Sequence, residues 1–171
     1  DSNQSEYYSF RVKANKIFFL GNNVRDVHFT FEGKGLNPQA LVKDNRIFIN
    51  KTSSVLGPDR SEFLHLYWID SINIYNNFFD IVQANVAIRC FSIYAEKQVI
   101  LIGNYCSCSN GHKARIDLIG ALRNNNNQKT IPLLKSIIRN NIFDNVSVNQ
   151  DSTYKDQIIY EVLESNVDFT S

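Results

Sequence analysis

The hydrophobic period of the chain changes once, near Gly103, and that change constrains the fold more than any motif does. Before it, apolar side chains recur at every second residue. Val27, Phe29 and Phe31 alternate with His28, Thr30 and Glu32, and Phe10 and Val12 alternate with Ser9, Arg11 and Lys13. A period of two sorts residues onto the two faces of a half-buried strand. The apolar runs at 17–20 and 46–50 are bounded by Gly21-Asn22-Asn23 and Asp44-Asn45, residue types that tolerate positive φ and mark turns. Leu64, Leu66 and Trp68 alternate with His65 and Tyr67, and Ile72 and Ile74 flank Asn73. Residues 76–83 read as another strand, and 86–103 as a hairpin bent at Glu96-Lys97.

After Gly103 the apolar spacing lengthens toward that of a helix. Ile116, Leu118, Ile119 and Leu122 share one helical face. Leu134, Ile137 and Ile138 follow Thr130 as N-cap and Pro132 in the first turn. Tyr154, Ile158 and Val162 recur at fourfold spacing behind the cap pattern Thr153-x-x-Asp156. Strands followed by helices predict an α+β protein. Its mainly antiparallel sheet has about six to eight strands over 8–103, and about three helices follow at 113–123, 131–140 and 153–165. At 171 residues one domain is expected across 1–171, β-rich over 7–103 and helical over 112–165. No internal repeat stands out, and the asparagine run at 124–127 reads as punctuation between helices.

Composition narrows the function classes. Apolar residues at 43% and aromatics at 12% exclude wholesale disorder. A net charge of +1 without a basic run argues against a reader of duplex nucleic acid. No apolar run approaches the roughly 18 residues of a membrane span, so a soluble chain is expected. The opening DSNQSEYYSF and the lack of any methionine suggest a mature chain or an excised piece of a longer protein, with a secreted or a cytoplasmic home both open. The sequons at Asn50-Lys51-Thr52 and Asn145-Val146-Ser147 are expected by chance in a chain so rich in Asn and Ser.

The stretch GNYCSCSNGHKARID, 103–117, concentrates the reactive residues. Cys106, Cys108 and His112 with Cys90 form a nominal zinc set, but a single residue between two cysteines strains tetrahedral geometry. In the expected hairpin, Cys106 also lies roughly 10 Å beyond the residue facing Cys90. No metal and no cofactor are therefore expected, and the cysteines read mainly as thiols. As a strand-to-helix turn, Ser107, Ser109, Gly111 and Lys113 suit an anion. His112 and Lys113 with His28 or His65 carry the proton-transfer groups and the cation that metal-independent phosphodiester cleavage needs. Tyr67, Trp68 and Tyr75 offer an aromatic interaction surface. Asp70 and Asp80 are isolated, Glu161 and Glu164 suit a solvated helix face, and no hydrolase, zincin or dinucleotide motif is present.

The residues favour a non-catalytic module that binds a protein partner, one domain of a longer or processed protein. The alternative is a small RNase-like or nucleotide-handling effector, toxin-like, acting through His112 and Lys113 with His28 or His65. Nucleic acid is a partner only on that alternative. A second alternative is an extracellular receptor- or glycan-binding domain.

Overall fold

The computed structural model describes residues 8–49, 62–81, 89–108, 114–124, 127–130, 135–144, 146–150 and 168–170. Among these the chain winds in successive coils, each laying strands parallel to those of the coil before. The first coil holds β1 (Tyr8–Ala14), β2 (Lys16–Leu20) and β3 (Asn23–Arg25). The second holds β4 (Val27–Gly33), β5 (Gln39–Lys43) and β6 (Arg46–Ile49). In the third, β7 (Glu62–Tyr75) turns a corner midway and is followed by β8 (Phe78–Ile81). The fourth repeats this with β9 (Arg89–Ile102) and β10 (Tyr105–Cys108). The fifth has β11 (Ala114–Asn124), a short β12 (Asn127–Thr130), β13 (Lys135–Arg139) and β14 (Ile142–Asp144). Finally β15 (Val146–Gln150) and β16 (Asp168–Thr170) extend the first face beyond β11.

Three faces result. The first stacks β1, β4, the leading half of β7, the leading half of β9, β11, β15 and β16. The second stacks β2, β5, the trailing halves of β7 and β9, and β13. The third is β3, β6, β8, β10 and β14. This is a parallel β-solenoid, in which each coil buries its apolar face against its neighbours.

The core is a set of inward columns. On the first face Phe29, Leu64, Phe91 and Ile116 stack in register, beside Phe31, Leu66 and Ile93. Ala40, Ile72 and Val99 do the same on the second face, next to Val42, Ile74, Leu101 and Ile138. On the third face Ile47, Phe79, Cys106 and Phe143 stack beside Ile49, Ile81 and Cys108.

Between the second and third faces every coil makes the same turn, a residue at positive φ followed by asparagine. The first position is Gly21, Asp44, Asn76, Gly103 or Asn140, with φ between 52° and 68°. The second is Asn22, Asn45, Asn77, Asn104 or Asn141, and from Asn45 onward these are buried. Each side chain ties its own coil to its neighbours. Asn45 donates from its backbone N and its Nδ2 to Asn77 Oδ1, at 3.0 and 2.8 Å. Asn77 donates likewise to Asn104 Oδ1, and Asn104 to Asn141 Oδ1. The same Nδ2 groups reach back to backbone carbonyls of the preceding coil: Asn77 to Val42, Asn104 to Ile74 and Asn141 to Leu101. An amide ladder of this kind meets the hydrogen-bonding demand of a buried turn.

The expected α+β class, antiparallel sheet and C-terminal helices are corrected. Residues 114–124 and 135–139 are strands, whereas 131–134 and the proposed helix at 153–165 lie outside the described residues. The described part of the 86–103 segment, from Arg89 on, forms no hairpin; β9 runs on through Glu96-Lys97, parallel to β7 along its length. Only β11 with β12 is antiparallel among the described pairs. The error has a physical origin. Parallel sheets are usually covered on both faces and uniformly apolar, whereas here one face of each sheet meets solvent, so the strands alternate as antiparallel ones do. In β13 the register settles the period: Ser136 and Ile138 are buried and Ile137 lies between them on the outer side.

Candidate functional site

The outer side of the first face carries a polar and aromatic patch beside the corner where the chain passes to the second face. Parallel register sets Arg11, Thr30, His65 and Ser92 in one outward column and Lys13, Glu32, Tyr67 and Tyr94 in the next. The Glu32 carboxylate, only 1% exposed, is the hub. Arg11 Nη2 donates to its Oε2 at 2.8 Å, the Tyr67 hydroxyl donates to the same oxygen at 3.1 Å, and the Lys13 ammonium sits on Oε1. Arg11 also bonds the Tyr67 hydroxyl and lies 5.8 Å from that ring's centre. His65 packs against both Tyr67 and Tyr94, with ring centres 4.8 and 5.4 Å apart.

Burial alone pushes the Glu32 carboxyl up, but the bonds from Lys13, Arg11 and Tyr67 outweigh it and hold the group below its ordinary value. Burial, reinforced by the Glu32 charge, pushes the Tyr67 phenol up. A depressed carboxyl stabilises the fold above its unfolded-state value, near 4.5, and that contribution disappears as pH falls through the lower folded value. Wild type should therefore lose thermal stability on acidification below that point. Glu32→Gln should be less stable at neutral pH and show a flatter acid limb in melting curves recorded against pH. An unchanged limb would remove Glu32 from the acid response.

At the corner, the loop from Gly33 to Pro38 and the bends of β7 and β9 enclose a cavity of about 280 Å³, walled by Trp68, Asp70, Glu96, Lys97, Asn37 and Leu36 among others. Trp68 is held at φ 56°, a conformation that is an outlier for a bulky residue and that collects at functional sites. Its indole meets the Tyr67 ring edge-on at 4.7 Å, so the cavity and the patch are continuous. Lys97 Nζ bridges Asp70 Oδ2 at 2.5 Å and Asn37 Oδ1 at 2.7 Å. The Asp70 backbone N–H is anchored on Pro38 O at 2.9 Å.

Of the residues singled out from sequence, Tyr67 and Trp68 meet here, whereas Tyr75 lies on the second face and donates to Asn73 Oδ1 at 3.3 Å. His28 and His65 share the outer side of neighbouring strands; His28 Nε2 lies 3.0 Å from Thr30 Oγ1. Ser109, Gly111, His112 and Lys113 lie outside the described residues, as does the side chain of Cys90. Ser107 is on the third face, with its hydroxyl 3.4 Å from Asp144 Oδ2. Cys106 and Cys108 are buried in the inward columns. Among the described residues no group of three or more His, Cys, Asp or Glu could hold a metal ion, and no helix could cross a membrane.

Glu32, Asp70 and Lys97 escaped the sequence reading, although a signal for one pair existed. Asp70 and Lys97 are 27 residues apart, the same offset as Asn77 and Asn104. Once the ladder asparagines are aligned, Lys97 falls one coil above Asp70. No family model, curated protein or solved structure matches this chain.

Proposed function

We propose that the chain is a non-catalytic binding module and that the corner cavity with its adjoining patch takes a neutral glycan. One observation carries this reading: the cavity wall presents the Trp68 ring beside that of Tyr67, yet the site's charges are compensated from within. Arg11 and Lys13 rest on Glu32, Lys97 rests on Asp70, and the Glu96 carboxylate on the cavity wall balances the second cation at Glu32. A ligand entering such a site needs no net charge of its own. It needs an apolar face for Trp68 and Tyr67, and hydroxyls that both donate and accept. Sugars have both, and the site supplies carboxylate and amide acceptors beside an ammonium donor. Trp68 is the chain's single tryptophan, so its emission reports directly on the cavity.

Titration with a panel of neutral oligosaccharides should shift that emission saturably, with little dependence on salt. In calorimetric titration, Asp70→Asn should weaken binding about tenfold, consistent with roughly 1.4 kcal/mol from a charge-assisted hydrogen bond. Trp68→Ala should abolish it. Strong salt dependence would point instead to a charged ligand, and no response across the panel would end the glycan reading. A protein partner is the second reading, favoured by Leu36, which stands 86% exposed on the cavity rim.

A further inference from the structure

Interior coils are paired on both sides, whereas the first coil is paired on one. Among the described residues β1 pairs only with β4, β2 only with β5, and β3 only with β6. The same coil carries most of the exposed large apolar side chains: Phe10 at 56%, Val12 at 41%, Phe18 at 65% and Leu20 at 50%. The amide ladder ends here too. Asn22 donates from N and Nδ2 to Asn45 Oδ1, and among the described residues no earlier rung donates to Asn22 Oδ1. Open strand edges with apolar side chains are templates for another chain.

We propose that this end is closed by the first coil of a second copy, in a head-to-head dimer with two-fold symmetry. The register follows from the sequence of the coil. Placing the axis through Arg11 and through the Gly21-Asn22 turn sets β1 antiparallel to β1 of the second copy, with Phe10 opposite Val12. The same axis sets β2 against β3 of the second copy, with Phe19 opposite Val24. All four lie in inward columns, since they pair in register with Phe29, Phe31, Val42 and Ile47. One core therefore continues across the junction. Shifting the β1 pairing by one residue would turn one coil inside out.

The same operation sets Arg11 opposite Arg11 of the second copy, each paired with its own Glu32, and brings other polar groups together. Asn22 comes opposite Gly21 of the second copy, so the two Asn22 side chains flank the axis, where their amides can bond each other and supply the missing rung. Asp26 comes beside Lys16, and Arg25 faces the ring of Phe18. Three edges at fixed corners are matched by another such coil, and an isologous contact closes where head-to-tail stacking would grow a fibre. Residues 8–26 approach the roughly 20–30 residues a side of a standard interface.

Sedimentation of the purified chain should give a dimer. Val12→Asp with Phe18→Asp should give a monomer with unchanged circular dichroism, whereas Ile142→Asp, at an exposed position on the third face, should leave the dimer intact. Arg11→Cys gives a positive test. On the axis its Cα lies about 4.5–5.5 Å from that of its copy, within disulfide range, so mild oxidation should cross-link the chain on a non-reducing gel. A monomeric wild type, a dimer dispersed by Ile142→Asp, or a dimer that Arg11→Cys fails to cross-link would each overturn the proposal.

Discussion

Asn77→Ala should lower the stability of the chain by about 4 kcal/mol. The side chain is buried and serves three coils at once. Without it, the Asn45 backbone N–H loses its acceptor, the Asn45 Nδ2 keeps only Phe19 O, and the Val42 carbonyl loses the Asn77 Nδ2 donor. Each buried group left unpaired costs about 1–3 kcal/mol, and water reaching the small void would recover part of the sum. For a chain of this length that is a fall in Tm on the order of 10 °C. Asn77→Asp separates hydrogen bonding from shape. It is nearly isosteric, but it replaces the donor facing Val42 O and Asn104 Oδ1 with an acceptor and buries a charge. It should be at least as damaging as alanine. A melting curve showing Asn77→Asp close to wild type would remove the ladder as a principal source of stability.

Gly33→Ala should disrupt the corner cavity and cost about 3 kcal/mol or more, because no small adjustment makes room for the methyl group. A Cβ at Gly33 would stand 1.9 Å from the Trp68 carbonyl oxygen and 2.7 Å from Pro38 Cγ. The first is backbone, so the whole Trp68 corner must move. Two other glycines grade the effect. Gly103→Ala meets Asn76 Oδ1 at 2.5 Å and must hold φ 68°, so it should cost about 1–3 kcal/mol. Gly21→Ala meets nothing within 4 Å and should cost only the roughly 1 kcal/mol of its φ of 64°. Melting temperatures should therefore fall in the order Gly21, Gly103, Gly33. Gly33→Ala alone should shift tryptophan emission and weaken the glycan response. Equal losses at all three would mean that the contact at Trp68 adds nothing to the cost at Gly33.

Much of the local structure was legible and the architecture was not. Alternation placed Phe29 and Phe31 inside with Thr30 outside, and the turn chemistry at Gly21-Asn22 and Asp44-Asn45 was readable. What alternation cannot show is strand direction, because a solenoid with one solvated side carries the same pattern as a hairpin. Trp68 illustrates a second limit. It was read as the next inward residue after Leu66, but positive φ turns the chain there, and Ile69 takes the buried place. The patch at Tyr67 and Trp68 was visible as aromatic content, whereas its carboxylates were not, because Glu32 and Asp70 acquire partners only through stacking. Asparagine, taken as punctuation, was the repeat itself. The rungs are 23, 32, 27 and 37 residues apart, and no fixed period connects them.

That uneven spacing bears on how such a chain can change. The ladder fixes one corner of every coil, and the sheets fix the columns on either side of it. Added length is thereby diverted to the other corners, as between β6 and β7 or between β11 and β13. An insertion there leaves every rung in place. A single deletion inside a strand between two rungs shifts a whole column from core to solvent. The molecule counts coils, not residues, so whole coils and corner loops are its natural units of gain and loss.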